Sequence, residues 1–263
     1  MPELPEVNTV MKGFRDSALH DKILDVQVLD DKILRNCSAD TFVDLLIGRK
    51  FVHTYRRGKY FFATLNSDDS VLFHLGMTGD IHYYQEEYDA PKHERFSVKL
   101  ASGLIIGYDD PRKFSRILHI PNIQDYLVEI GLGPDALEIS KDNFAQLFAG
   151  RTTTLKSVLM NQKLIAGVGN LYADEICYQA RIHPATVAKQ LASKHIEKLY
   201  DCMQRILQLA CDRDAYYKVY PEDWFWKWRN DDQEILQGKG RIQKMKIGGR
   251  TTYYIDGYQK LIE

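Results

Sequence analysis

The sequence is poor in cysteine, and its four cysteines are not arranged to bind a metal. They are scattered without a C-x-x-C pair, which favours reduced structural thiols over a disulfide framework. After Cys211 the chain contains neither cysteine nor histidine, so a zinc site built from those ligands is excluded from the C-terminal part.

Long apolar runs and a strong net charge are also lacking. No run approaches the roughly 18 residues of a membrane span, and no charged-then-apolar leader precedes Glu3. We therefore expect a cytosolic protein with no membrane attachment. The net charge of −1 does not by itself indicate a nucleic-acid partner. Residues 237–263 nevertheless hold six basic and two acidic residues, which suits either a phosphate-binding element or a merely soluble terminus.

Hydrophobic periodicity divides the 263 residues into unlike parts. Apolar residues recur at helical spacing over Val7–Leu19, and the spacing is helical again over 142–214. Between them lie short β-prone runs separated by polar turns, which is typical of a β-sandwich. The predicted strands are Ile23–Leu29, Lys50–Tyr55, Tyr60–Leu65, Ser70–Leu75, Arg95–Leu100 and Leu104–Tyr108.

Two glycine-containing segments mark the predicted boundaries. Gly131-Leu132-Gly133-Pro134 ends a segment that reads as a linker, and Gly248-Gly249 divides two β-prone arms, which predicts a hairpin. The resulting organisation is an N-terminal domain over 1–123, a linker over 124–136, a helical domain over 137–230 and a hairpin finger over 231–263. The fold class is therefore α+β.

The N-terminal stretch MPELPE carries a possible nucleophile. We expect the initiator methionine to be removed because Pro2 is small, which would expose a secondary amine. An α-amino group titrates near about 7.7–8.0, so part of it is unprotonated at neutral pH and can condense with an aldehydic sugar carbon to form an iminium. Glu3 is adjacent, and Glu6 would face the same way if a helix started here. The same residues also suit a plain helix start.

Five further motifs follow, and four of them have an ordinary structural interpretation when each is taken alone. The basic RRGKY at 56–60 could be a solvated turn, and FHLGMTG at 73–79 could supply core residues. DPRKF at 110–114 could hold a loop salt bridge and a core aromatic, and QKLIAGVGNLYADE at 162–175 could be a helix–loop–helix with Asn170 as N-cap. The last motif, KIGGRTTYY, lies at 246–254.

Together with MPELPEV at the N-terminus, these motifs resemble the Fpg/Nei family of DNA glycosylase/AP lyases, in family order and over essentially the whole chain. The resemblance implies a β-sandwich with a leading helix, then a helix–two-turns–helix domain with a β-hairpin finger. It implies a bifunctional base-excision-repair enzyme that needs no cofactor and binds damaged double-stranded DNA. We expect the protein to be a cytoplasmic monomer associated with the nucleoid.

The resemblance also assigns roles to individual residues. Pro2 would attack the sugar carbon, Glu3 would protonate the ring oxygen, and Glu6 and Lys59 would support and position this site. The predicted DNA contacts are His74, Lys156, Asn170 and Arg250 together with Met77, Arg112 and Phe114, of which the last three would fill the space left by an everted nucleotide.

Two departures from the family pattern leave alternatives open. Most bacterial members end in a four-cysteine zinc hairpin, whereas this tail resembles the zincless finger of some relatives. The loop that caps 8-oxoguanine in Fpg proper is replaced by the aromatic segment 214–230, which could stack on a base or belong to the core. A Nei-like enzyme for oxidised pyrimidines or hydantoins therefore remains open, as does a non-catalytic protein that binds lesions or abasic sites.

Overall fold

The computed structural model describes residues 1–229, 235–236 and 238–263. The chain forms two compact units, one of Met1–Pro2 with Glu6–Gly131 and one of Glu3–Pro5 with Leu132–Glu263. The first is rich in strands and the second is helical with a hairpin, so the predicted α+β class is confirmed. The segment predicted as a linker contains helix α3 (Ile123–Glu129), and the exact domain boundaries stay a prediction.

The first unit contains two four-stranded antiparallel sheets. The strands are β1 (Ile23–Val28), β2 (Phe51–Arg57), β3 (Tyr60–Leu65), β4 (Ser70–His74), β5 (Asp80–Tyr84), β6 (Glu94–Leu100), β7 (Ile105–Asp109) and β8 (Arg116–Ile120). Their order is β1-β6-β7-β5 in one sheet and β2-β3-β4-β8 in the other. Most of helix α1 (Leu4–Ala18), helix α2 (Ala39–Leu46) and helix α3 belong to the same unit.

A cluster of aromatic rings forms the centre of this unit. Phe14 of α1 makes edge-on contacts with Phe51 and Phe61, with ring centroids 5.0 and 5.3 Å apart. Phe96 and Tyr108 stack at 5.2 Å. Offset and edge-on pairs of this kind add to the free energy gained by burying the rings. The helical spacing of apolar residues in α1 therefore reflects a buried face.

Besides α3, the sequence did not predict one helix and two strands of the first unit. Helix α2 has apolar residues at helical spacing, and Ser38 caps it by accepting a hydrogen bond from Thr41 N–H. Strands β5 and β8 were missed because each is only five residues long, and β8 also lacks a clean alternation of apolar and polar residues. The expectation of β structure alone between residues 23 and 120 was wrong at α2.

Four helices pack around a separate apolar core in the described part of the second unit. These are α4 (Lys141–Gln146), α5 (Leu155–Met160), α6 (Asn170–Ala180) and α7 (Ser193–Asp212). Helix α6 is buried along most of its length, with Tyr172, Ala173 and Ile176 fully inside. Within the described ranges, no helix is both long and apolar enough to cross a bilayer.

The predicted hairpin is present. Strands β10 (Gly240–Ile247) and β11 (Arg250–Ile255) pair in antiparallel register, and a short β9 (Ile235–Leu236) adds to β10. The turn consists of Gly248 and Gly249 with φ of 55° and 74°. A two-residue turn with positive φ at both positions matches the right-handed twist of the paired strands and favours glycine.

The aromatic segment after α7 contributes mainly to the core. Tyr220, Trp224 and Phe225 are buried, whereas Tyr216 is exposed. Phe225 stacks on Tyr178 of α6 at 5.0 Å, in a cluster that includes Ile242 and Ile255 of the hairpin. The helical part of this unit thus buttresses the hairpin. The predicted segment and finger include residues 230–234 and Gln237, which lie outside the described residues.

Candidate active site and nucleic-acid interface

A small cavity in the first unit brings together three residues that the sequence singles out. Pro2, Lys59 and His74 line it together with Met1 and Gly76. Lys59 follows the turn residue Gly58 and is only 7% exposed, so its ammonium group is held inside the site. A cation beside the N-terminal proline could bind a phosphate of a DNA strand and hold the adjacent sugar in position.

His74 is electrically neutral in this environment. Burial lowers its pKa to about 4, helped by the positive charges of Arg116 and Lys59. Its Nδ1 accepts the Gly76 N–H at 3.4 Å, which leaves Nε2 to carry the proton and donate to an external oxygen. Sequence reasoning missed Arg116, because only the pairing of β4 with β8 reveals that it lies opposite His74.

In the second unit, the Glu3 carboxylate is bound at the N-terminus of helix α6. It accepts hydrogen bonds from the backbone N–H groups of Gly169 at 2.6 Å, Leu171 at 2.8 Å and Tyr172 at 3.3 Å. A Cβ atom on Gly169 would lie 2.3 Å from the Glu3 carboxyl carbon, so only glycine leaves room for this approach. The partial positive charge of the helix N-terminus favours a carboxylate here.

The position of Glu3 changes two expectations. Helix α1 begins at Leu4, so the helical spacing that was to relate Glu3 to Glu6 does not apply. Glu6 lies half-buried in the first turn of α1, and its supporting role stays a prediction. Asn170 is not the N-cap of α6, which is Gly169, because Glu3 binds the N–H groups that a capping side chain would otherwise bind.

Asn170 instead connects α6 to the hairpin. Its Nδ2 donates to the carbonyl oxygen of Thr251 at 3.0 Å, and its Oδ1 is buried without a hydrogen-bond partner. Arg250, the residue before Thr251, is exposed and begins β11 directly after the turn. The two predicted phosphate contacts therefore lie close together, and the hairpin tip and the start of α6 present polar groups from the same region.

Lys156 is located differently from the other predicted DNA contacts. Its side chain is fully buried, and its Nζ donates to Asp174 Oδ1 at 2.6 Å and to Thr252 Oγ1 at 2.8 Å. Arg229 donates to the second oxygen of Asp174 at 2.8 Å. A phosphate could reach Lys156 only if the side chain left this cluster, so the geometry favours a structural role over a direct contact.

The three residues predicted to fill the space of an everted nucleotide lie in two loops of the first unit. Met77 and Phe114 are exposed apolar side chains, with 39% and 51% of their surface accessible. The Arg112 guanidinium lies 4.7 Å from the centre of the Phe114 ring, in a cation–π contact. Apolar side chains of this kind are suited to insertion into a duplex, and this role of Met77 and Phe114 stays a prediction.

Sequence comparison assigns the chain to a family. The formamidopyrimidine-DNA glycosylase N-terminal domain matches residues 1–117, and the H2TH domain of the same enzymes matches residues 130–218. A formamidopyrimidine-DNA glycosylase of Streptococcus mutans is 32% identical over 99% of this chain and 100% of its own length. The chain belongs to the formamidopyrimidine-DNA glycosylase family. One from Arabidopsis thaliana is 31% identical over 99% of this chain and 71% of its own.

Solved structures of this family share the fold. Lactococcus lactis Fpg, non-covalently bound to DNA containing an AP site, aligns with a TM-score of 0.88 and 26% identity, covering 98% of this chain and 99% of that one. The same enzyme with Fapy-dG-containing DNA aligns with a TM-score of 0.87 and 25% identity, covering 98% and 100%. The protein is a DNA-binding glycosylase of base-excision repair, which rejects the non-catalytic alternative.

Among the residues that the structure describes, no group of three or more His, Cys, Asp or Glu side chains is arranged to hold a metal ion. That the finger works without metal stays a prediction.

Proposed function

We propose that this glycosylase is bifunctional and that its AP lyase reaction uses Pro2, exposed by removal of Met1, as nucleophile. The observation that carries this proposal is the cavity shared by Pro2, Lys59 and His74 in the first unit. It offers an amine nucleophile next to two groups that can bind phosphate. Glu3, the next residue in the chain, supplies the acid.

The proposed chemistry begins at the sugar of the damaged nucleotide. The Pro2 nitrogen donates its lone pair to C1′, the bond from C1′ to the base breaks, and the base leaves with the bonding electrons and takes up a proton. The Pro2 nitrogen then passes its proton to the Glu3 carboxylate, and Glu3 delivers it to the ring oxygen as the bond from C1′ to that oxygen breaks, which gives an iminium between C1′ and Pro2.

Strand cleavage follows from the acidity of C2′ in that iminium. Loss of a C2′ proton breaks the C3′–O bond and releases the 3′ phosphate, and a second elimination breaks the C5′–O bond. Water then hydrolyses the iminium and restores the Pro2 amine. Lys59 and His74 would bind the phosphates that depart, with Glu6 supporting the site.

We propose an Fpg-like lesion preference that includes oxidised purines. The exposed Met77, and Arg112 stacked on Phe114, support it, because the resemblance links this set to the Fpg branch. The relatives bound to Fapy-dG-containing and abasic DNA point to the same substrate class. We further propose that the protein acts as a monomer in the compartment that holds the DNA.

Borohydride trapping across a lesion panel tests the chemistry and the substrate together. Duplexes with 8-oxoguanine, 5-hydroxyuracil or an abasic site are incubated with the protein and borohydride, and the adduct is mapped by peptide mass spectrometry. We expect the adduct on Pro2, a mature mass without Met1, and faster release of 8-oxoguanine than of 5-hydroxyuracil.

Two results would contradict separate parts of this proposal. An adduct on a lysine, or none, rejects the Pro2 mechanism. Faster release of 5-hydroxyuracil rejects the Fpg-like preference. It supports the Nei-like alternative, which the altered capping segment suggested. A variant with Pro2→Gly serves as control, because an N-terminal glycine keeps an amine but loses the ring.

A further inference from the structure

The residues predicted to fill the space of an everted nucleotide depend on two separate loops of the first unit. Met77 lies in the loop over residues 75–79 between β4 and β5, whereas Arg112 and Phe114 lie in the loop over 110–115 between β7 and β8. Because these three side chains come from two loops, they can fill one space together only if the distance between the loops is fixed.

The two loops touch through their backbones. A Cβ atom on Gly76, whose φ is +60°, would lie 2.5 Å from the backbone carbonyl atoms of Phe114. One on Gly79 would lie 2.5 Å from Ser115 Oγ. Real Cβ atoms do not approach other atoms this closely, so the loops leave no room for a side chain at either glycine.

The carboxylate of Asp110 links the two loops. Its Oδ1 accepts a hydrogen bond from Thr78 Oγ1 at 2.6 Å and one from the Arg112 N–H at 3.2 Å. Its Oδ2 accepts from Ser115 through both the backbone N–H at 2.9 Å and the Oγ at 2.6 Å. Thr78 directly follows Met77, so one side chain contacts the immediate neighbours of Met77 and Phe114 as well as Arg112 itself.

Asp110 is itself held firmly. It is fully buried, its N–H donates to the His93 carbonyl at 3.1 Å, and its carbonyl accepts from Arg95 Nε at 2.9 Å. Asp30 binds both Arg95, at 3.5 Å, and Lys113, at 2.5 Å. Burial raises the pKa of Asp110, but the hydrogen bonds from Ser115, Thr78 and Arg112 outweigh it and hold this pKa below its ordinary value, so the carboxylate is charged.

We infer that Asp110 is a positioning residue that fixes the separation of Met77 from Arg112 and Phe114, so that the three side chains enter the duplex as one preorganised unit. The inference rests on the proposed function, which assigns these three residues to the vacated space. Without the Asp110 carboxylate, the two loops would become ordered only when the base is everted. The free-energy cost of this ordering would slow excision from duplex DNA.

The test compares substrates that do and do not leave an orphaned base. Variants with Asp110→Asn and Thr78→Val are assayed under single-turnover conditions on 8-oxoguanine in duplex DNA and on an abasic site in single-stranded DNA. We expect duplex excision to slow about 10- to 100-fold in Asp110→Asn and less in Thr78→Val, while single-strand cleavage is unchanged. Discrimination between bases opposite the lesion should weaken in both variants.

The neighbouring Asp109→Asn is the matched control. Asp109 accepts the His93 N–H at 2.8 Å, and within the described part of the chain no hydrogen bond joins its side chain to either loop. It should behave as wild type on both substrates, and thermal denaturation establishes that each variant is folded. Thr78→Val removes one hydroxyl with little change in shape, so it decides the question if Asp110→Asn fails to fold.

Equal losses on duplex and single-stranded substrates, or wild-type excision from the duplex, would overturn the inference. A measurement of binding that does not depend on catalysis distinguishes failure of this inference from failure of the proposed function. 2-Aminopurine placed opposite an abasic site reports insertion through its fluorescence on binding. If wild type inserts normally but forms no Pro2 adduct, the mechanism fails, and the fluorescence of the Asp110 and Thr78 variants still tests their positioning role.

Discussion

Lys156 donates a hydrogen bond to Asp174 at 2.6 Å, between two side chains that have no accessible surface. Burial opposes both charges, lowering the pKa of Lys156 and raising that of Asp174, while their mutual attraction counteracts both shifts. The positive charge of Arg229 also opposes the rise at Asp174, but it lowers the pKa of Lys156 further. Lys156 also donates to Thr252 of the hairpin. This ion pair therefore connects helices α5 and α6 to the strand that follows Arg250.

Replacing Lys156 by Met should lower the free energy of unfolding by about 3–5 kcal/mol, because it leaves Asp174 with one fewer cation in a buried site. The dependence of DNA affinity on salt should not change, since the lysine touches no phosphate in this arrangement. Denaturant titration and binding at several salt concentrations check both statements. Adding Asp174→Asn should restore part of the lost stability, and a smaller salt slope would instead indicate a direct phosphate contact.

Arg250→Ala and Asn170→Ala should weaken binding to lesion-containing and undamaged duplexes alike. Contacts to phosphate position the protein without reading the base. Removal of Arg250 should also reduce the slope of log affinity against log salt by about 0.9, as expected when one phosphate is no longer neutralised. Fluorescence anisotropy on matched duplexes measures this, and a changed lesion preference at unchanged affinity would show that these roles are wrong.

Prolonged chelation should leave activity intact. The chain from Asp212 to Glu263 contains no cysteine or histidine, and the hairpin is instead packed on Tyr178 and Phe225. A two-stranded hairpin alone is marginal in water, so this packing has to supply the stability. Elemental analysis should find no stoichiometric zinc. Loss of activity on chelation that zinc then restores would refute the metal-free finger.

Glu175 should make stability depend on pH. Burial raises its pKa to about 7, although Gln179 and the N–H groups of Phe225 and Trp226 donate to the carboxylate. Since the folded state holds this proton more tightly than the unfolded chain, the stabilisation is full below about pH 4.5 and is lost as the pH rises towards 7. The loss is about 3 kcal/mol.

A variant with Glu175→Gln, which cannot ionise, isolates this contribution. Relative to wild type, its free energy of unfolding should rise by about 3 kcal/mol between pH 4.5 and pH 8. Denaturant titrations at both pH values measure the change, with the exposed Glu222→Gln as control. A difference that is the same at both pH values would mean that Glu175 is not protonated near neutrality.

Glu3→Gln should separate chemistry from binding. The amide can still accept an N–H bond at the start of α6 but cannot protonate the sugar ring oxygen, so adduct formation with abasic DNA should slow about 100- to 10,000-fold. Affinity for the same DNA should hold. Gly169→Ala is the structural comparison. The added Cβ would lie 2.3 Å from the Glu3 carboxyl carbon, so it would displace this carboxyl group without removing it. Normal trapping by the Glu3 variant would exclude it as the acid.

Local pattern was sufficient for part of the fold. The bounds of Tyr60–Leu65 were predicted as observed, and the double glycine located the hairpin turn. The capping pattern of Ser38 was also readable, so α2 could have been found. Strand β5 was missed because it is only five residues long, and its pairing with β7 defines it.

The candidate site shows the same division. Pro2, Lys59 and His74 could be predicted to meet, because the family motifs carry them. Burial of Lys156 could not, since its partners lie 18 and 96 residues away in the chain. Asp110 sat inside a recognised motif without a role, because its donor Thr78 belongs to another loop.

The hydrogen bond between Glu3 and Gly169 spans 166 residues of sequence. At a synthesis rate of 5–20 residues per second, about 8 to 30 s pass after Glu3 is made before its partner exists. The hydrogen bond from the Leu4 N–H to the Gly167 carbonyl is delayed by a similar time. In that interval the N-terminus cannot adopt its final position, so Met1 is accessible to an aminopeptidase. Maturation of the proposed nucleophile can therefore precede folding of the unit that holds its neighbour.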